Sequence, residues 1–152
     1  MRKSVYDFQV FESKGTSVHE SFMGYDPADR IFFIDLTNVV WETEQHVRDH
    51  FARIGVLMKK WAGGGPQDMI IGYIGFKFDM VKLGPVYRDL VIKAGKEYFK
   101  NLARWGIEDP LLRSTQRAFA IKTHRASHIY ATREQAIEVI LGLRAGTIEL
   151  EA

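Results

Sequence analysis

The run Ile31–Leu36, "IFFIDL", is apolar at every position except Asp35, and the chain changes its hydrophobic period directly after it. A strand that is apolar on both faces has to be covered on both, so this run predicts a central strand between two layers. Beyond it, Val47, Phe51, Ile54, Leu57 or Met58, and Trp61 recur at spacings of three and four, and Gly63–Pro66 supplies a stop. This predicts an amphipathic helix of about five turns. Thr43 or Asn38 is suited to cap its start.

Upstream, "VYDFQVFES", "SVHESFMGY" and "RIFFIDL" are separated by Gly15 and by the turn-like "YDPADR", which predicts three strands. "MIIGYIGF" predicts a further strand. Tyr87, Leu90 or Val91, Ala94, Tyr98, Leu102 and Trp105 then share one helical face, with Pro85 suited to a first turn and Gly106 to the C′ position. A second helix reaching Trp105 is therefore expected. "IEDPLLRSTQ" reads as a connection and "RAFAIKT" as another short strand. Thr132 with Gln135 three residues on forms a capping box, followed by Ala136, Ile137, Ile140, Leu143 and Gly146. That predicts a closing helix, with 146–152 as a frayed tail.

The order β, β, β, α, β, α, β, α implies an α/β sandwich: a mixed sheet of about four or five strands with parallel strand-helix-strand crossovers and three main helices. No repeat, low-complexity stretch or linker interrupts it, so 1–152 is expected to be one domain.

Composition narrows the chemistry. With 46% hydrophobic and 26% charged residues, the chain resembles an ordinary globular domain. It has no cysteine, which excludes disulfides, thiolate metal sites and Cys nucleophiles and fits a cytoplasmic setting. The start, "MRKSVYDFQVFESKG", lacks the apolar run of a signal peptide, and no run approaches the roughly 18 apolar residues of a membrane span. The formal charge of +2 hides an asymmetry: Lys82 to Arg133 holds eleven Lys or Arg against four Asp or Glu. Such a segment suits anionic partners. Lys93, Lys96, Lys100 and Arg104, however, fall at helical spacings that suit a solvated helix face.

If the strands ending near Leu36, Phe76 and Ile121 run parallel, their C-terminal ends bring together Thr37 and Asn38, Lys77 to Gly84, and Thr123 to Ser127. This edge offers Thr37, Asn38, Lys77, Phe78, Asp79, Lys82, His124 and Arg125 as candidate binding residues. From Glu44 to Arg113 there is no Ser, Thr or Cys, so a nucleophilic serine would have to come from the chain ends. His46 and His50 lie four apart, a spacing that binds a metal when further ligands are supplied. "WETEQHVRDHF" is not H-E-x-x-H, and its polar neighbours point to a solvent face, so neither a metal nor a cofactor is expected. "GGGP" precedes a strand and fits a helix stop better than a phosphate loop. Trp61, Trp105, Tyr87 and Tyr98 suit the core, and "GYIGFKFD" lacks the aromatic pattern of an RNA-binding strand, which argues against nucleic acid.

The element order together with "DRIFFIDLTNVVWETE", "GYIGFKFD" and "HIYATREQAIEVILGL" resembles the STAS domain, in its SpoIIAA-like branch, over about Val18 to Leu143. The resemblance implies a non-enzymatic module that binds a partner protein, a nucleotide or a lipid, switched by phosphorylation of a Ser or Thr at the start of the helix after a central strand. Here that position falls in "FDMVKLGP", where Asp79 matches the preceding acidic residue but Met80 and Val81 follow it. The place for a phosphoswitch is present without its hydroxyl. "YRDLVIKAGKEYFKNLARW" is similar to accessory domains that stand beside larger metabolic enzymes.

The expectation is thus a regulatory or accessory module that binds a protein or a small anionic or nucleotide-like ligand at this edge, with the apolar first strands suited to a homodimer. The alternative is a small acid-base enzyme using Asp79 or His124, with Lys82 or Arg125 holding an anionic substrate.

Overall fold

The computed structural model describes residues 11–122 and 129–146. In chain order its elements are β1 (Phe11–Ser13), β2 (Phe22–Asp26), β3 (Ile31–Asp35), β4 (Val40–Trp41), α1 (Glu44–Ala62), β5 (Gln67–Gly72), β6 (Lys77–Phe78), α2 (Met80–Glu97), β7 (Phe99–Trp105), α3 (Pro110–Lys122), β8 (Ile129–Tyr130) and α4 (Arg133–Ala145). The architecture is α/β with a mixed sheet. Its six strands lie in the order β1-β2-β3-β5-β7-β8, and β4 and β6 form a separate two-stranded ribbon. β1, β2 and β3 are antiparallel neighbours, whereas β3, β5, β7 and β8 run parallel.

β3 is the central, doubly covered strand that its apolar run predicts. Phe32 and Ile34 face α1 and α2 together with Met23, Met69, Ile71 and Leu102. Ile31 and Phe33 face α4 with Ile70, Ala103, Ala136, Ile137 and Ile140. Local signals set the helix ends. Thr43 caps α1 in a reciprocal box with His46, and Gly63, at φ 74°, ends it in the left-handed conformation that favours glycine. Thr132 and Gln135 form the expected box on α4.

Three expectations are corrected. The second helix ends at Glu97, and Phe99–Trp105 is strand β7. Five of its seven residues are buried, on both faces, so β7 shows no alternation of two, and the spacing of Leu102 and Trp105 continues the helical pattern by coincidence. Arg104 consequently lies in a strand, 3% exposed, rather than on a solvated helix face.

"RAFAIKT" falls largely within helix α3, not in a strand. The Asp109 carboxylate accepts the Leu111 N–H at 2.9 Å and Pro110 takes the first helical position, so this helix starts inside the stretch read as a connection. The helices therefore number four and the main sheet six strands among the described residues, more than expected.

Third, α2 begins before Pro85, which sits inside it; Asp79 is its N-cap. The residues of the first strand before Phe11, and 147–152 of the tail, lie outside the described residues.

The path from β3 through α1, β5, α2, β7 and α3 to β8 advances across the sheet in one direction. α1, α2 and, through Leu112 and the Gln116–Tyr87 hydrogen bond, α3 belong to one face, and α4 to the other. Ligand crevices in open α/β sheets form where this winding reverses and neighbouring loops part. The helical crossovers here do not reverse.

Candidate functional site

Of the three loops expected to form a binding edge, two are joined to each other, and the third, 123–127, lies outside the described residues. The Asn38 N–H donates to the Ile74 carbonyl at 2.8 Å and the Lys77 N–H to the Val39 carbonyl at 3.0 Å, which pairs β4 with β6. Thr37 is exposed, and its hydroxyl donates to Asp35 Oδ1 at 2.5 Å. Asn38 is exposed at φ 59°. Lys77 is exposed on β6, whereas Phe78 is half-buried against Trp41, Phe76 and Tyr87.

Asp79 Oδ1 accepts the Val81 and Lys82 N–H groups, so this carboxylate is engaged in starting α2. Lys82 Nζ reaches the Glu42 carbonyl at 3.2 Å. His124 and Arg125 lie outside the described residues. Thr37, Asn38, Lys77, Phe78, Asp79 and Lys82 thus do share one edge, which the β4–β6 ribbon fills. Beside it lies a shallow depression of about 370 Å³, lined by Phe78, Met80, Val81, Pro85 and Arg88.

A different pocket, of about 340 Å³, opens between the Gly15–Ser21 loop and α1. Ser17, His19, Glu20 and Ser21 line it from the loop, and His46, Asp49, His50 and Arg53 from the helix. The rings of His19 and His46 stack at 3.7 Å. His19 Nδ1 lies 2.7 Å from the Val40 carbonyl, which makes it the protonated donor nitrogen. His46 Nδ1 accepts the Glu42 N–H at 3.0 Å and the Thr43 N–H at 3.3 Å, which makes it the bare nitrogen. Arg53 donates to Ser13 at its carbonyl (2.8 Å) and hydroxyl (2.7 Å), pinning β1 and the loop to the helix. The Thr16 hydroxyl donates to Glu20 at 2.5 Å and, with the Arg53 charge nearby, holds that carboxyl below its ordinary range.

His50 is not on a solvent face, as its polar neighbours suggested, but 8% exposed. Burial, reinforced by the Arg53 charge, lowers its pKa to about 3, so the imidazole is neutral. Its Nδ1 lies 3.4 Å from the Ser21 hydroxyl. The pair does draw a serine from the chain end, but Ser21 is 0% exposed, and the neighbouring Asp49 is exposed and accepts from Gln45 instead. Ser21 and His50 thus form a buried pair in the pocket lining, with no carboxylate bonded to the imidazole among the described contacts. Among the described residues no three His, Asp or Glu side chains are grouped to hold a metal ion.

On the other side of His50 lies a chamber of about 20 Å³ between the sheet and α1–α3, with Trp41, Tyr73, Tyr87, Arg104 and Gln116 in its lining. Nothing in the local sequence marks it, because its polar residues come from five separate elements or loops; an Arg and two Tyr inside otherwise apolar runs are its only trace. Comparison with family models, with curated proteins and with solved structures finds no match. Among the described residues no helix is long and apolar enough to cross a membrane.

Proposed function

We propose that this chain is a non-catalytic binding module whose small-molecule site is the pocket between the Gly15–Ser21 loop and α1. The observation that carries the reading is a space of about 340 Å³ with imidazole, hydroxyl, carboxylate and guanidinium groups converging on it. Charges of both signs in one lining suit a small zwitterion of amino-acid size, its cationic end toward Glu20 and Asp49 and its anionic end toward Arg53 and the imidazoles. The non-enzymatic binding role implied by the STAS resemblance agrees with this, as does a cytoplasmic setting.

The test is a thermal-shift and saturation-transfer NMR screen of the twenty amino acids and small amino alcohols, on wild type and Asp49→Asn. A zwitterion that stabilises the wild type, with its shift reduced in Asp49→Asn, supports the reading. The absence of any shift across the panel overturns it.

A second reading keeps the edge at Thr37, Asn38, Lys77, Phe78, Asp79 and Lys82 as a docking surface for a protein partner. It is favoured by Val81, which is 91% exposed between the half-buried Met80 and the lysines of that edge. A homodimer through the short edge strand β1 belongs to the same class, and light scattering of the full chain decides between monomer and dimer. The acid-base alternative finds less support, since Asp79 is occupied as a helix cap.

A further inference from the structure

We propose that the cleft between α1 and α2 binds a small amphipathic monocarboxylate, an aromatic or medium-chain aliphatic acid, with its carboxylate between Arg48 and Lys93. The cleft shares no lining residue with the pocket of the Gly15–Ser21 loop.

Size and shape set the class of ligand. The cleft holds about 250 Å³, below the roughly 300–1,000 Å³ of sites for drug-sized ligands, so its occupant is smaller than those. Its floor is apolar: Phe51 and Ala52 come from α1, and Leu90, Ala94 and the Tyr98 ring from α2. Tyr98 crosses onto α1 at Gly55, where a Cβ would lie 2.6 Å from the phenol oxygen. A glycine inside a helix is less favourable than an alanine, and here it admits the ring that closes one end of the cleft. An aromatic or aliphatic body laid on this floor removes apolar surface of both partners from water.

Charge decides the sign of the polar end. Arg48 and Lys93 stand exposed at the cleft, one on each helix. Arg48 reaches Glu44 at 3.6 Å, an exposed pair that leaves guanidinium N–H groups to spare. Lys93 takes part in no ion pair among the described residues. The one carboxylate of the lining, Glu97, accepts a hydrogen bond from the Tyr98 hydroxyl. Partial burial, followed by that carboxylate, pushes the phenol pKa up, so the proton stays on the hydroxyl. Two cations therefore face the cleft against one carboxylate that already has a donor. A guanidinium and an ammonium beside an apolar floor complement a carboxylate on an apolar body.

The experiment titrates the isotope-labelled full chain with sodium phenylacetate and, separately, with the neutral phenethyl alcohol, and follows the backbone amide signals by NMR. The acid is expected to shift the amides of Ala52, Lys93, Ala94 and Tyr98 and to bind more tightly than the alcohol, by a margin that shrinks as salt is raised. Lys93→Gln is expected to weaken the acid about two- to fivefold, the range of one exposed ion pair, and Glu97→Gln to tighten it. Ala52→Phe should fill the cleft and abolish the shifts. All three positions are exposed, so these variants are expected to keep the fold. The proposal is overturned by a titration without localised shifts, by equal binding of acid and alcohol, or by an affinity indifferent to Lys93→Gln. Shifts confined to Ser17, His46 and Arg53 would place the acid in the outer pocket and overturn it too. A failed amino-acid screen at the outer pocket leaves these readouts untouched.

Discussion

The His50 imidazole packs 4.8 Å from the Trp41 indole, centroid to centroid, and forms part of the wall of both the outer pocket and the inner chamber. The contact joins the middle of α1 to the β4–β6 ribbon and closes the sheet edge above the chamber. A charged imidazolium there would sit against an aromatic core with Arg53 nearby, which is why the neutral form is enforced.

Stability should therefore depend on pH through this residue. Its folded pKa of about 3 lies below the ordinary 6.5, so the unfolded chain binds the extra proton as pH falls. The contribution is complete above pH 6.5 and is lost progressively down to about 3, at about 1.4 kcal/mol per pH unit. Between pH 6.5 and 5, denaturant titrations should show wild type losing about 2 kcal/mol more than His50→Gln. Equal slopes for the two proteins would show that His50 is free to protonate in the fold.

His46 should act as a cap. It occupies the position that Glu or Gln takes in a capping box, with Nδ1 accepting two backbone N–H groups. His46→Ala is expected to lower stability by about 1 kcal/mol and His46→Gln to keep most of it. Urea midpoints of the three proteins check this; a Gln variant no better than Ala would assign the loss to the stack on His19 instead.

Gly72 is required by its neighbour in the sheet. A Cβ at this position would lie 2.2 Å from Trp105 Cζ2, on a ring that also carries the Arg133 guanidinium 4.8 Å from its centre. Gly72→Ala should displace the indole and destabilise the protein by about 1–3 kcal/mol, with a changed tryptophan emission spectrum. Trp105→Leu in the same background is expected to recover part of that loss, and no recovery would mean that the strain lies in the backbone.

Much of the layer structure was legible because its signals are local. Ile31–Asp35 had to be central, α4 had to begin at Thr132 and α1 at Thr43 or Asn38, of which the fold uses Thr43, and both had to end at glycines, since capping chemistry and hydrophobic period act within a few residues. Asp109 with Pro110 was an equally local start signal, readable once α3 is allowed. Membership of the Asn38–Asp79 edge also followed from order alone.

What the tertiary structure decided are the features that depend on residues far apart in the chain. β7 is a strand because β5 and β8 offer it partners, and a segment buried on both faces carries no period to announce that. Arg104 and His50 are buried because helices, ribbon and loop close over them, although Arg104 continues a helical spacing of basic residues and His50 follows the exposed Asp49. The two-residue strands of the ribbon are too short to read, yet they fill the expected cleft. Period and capping belong to neighbours along the chain; whether a polar group meets water, a cavity or a covering strand is settled only by what packs against it.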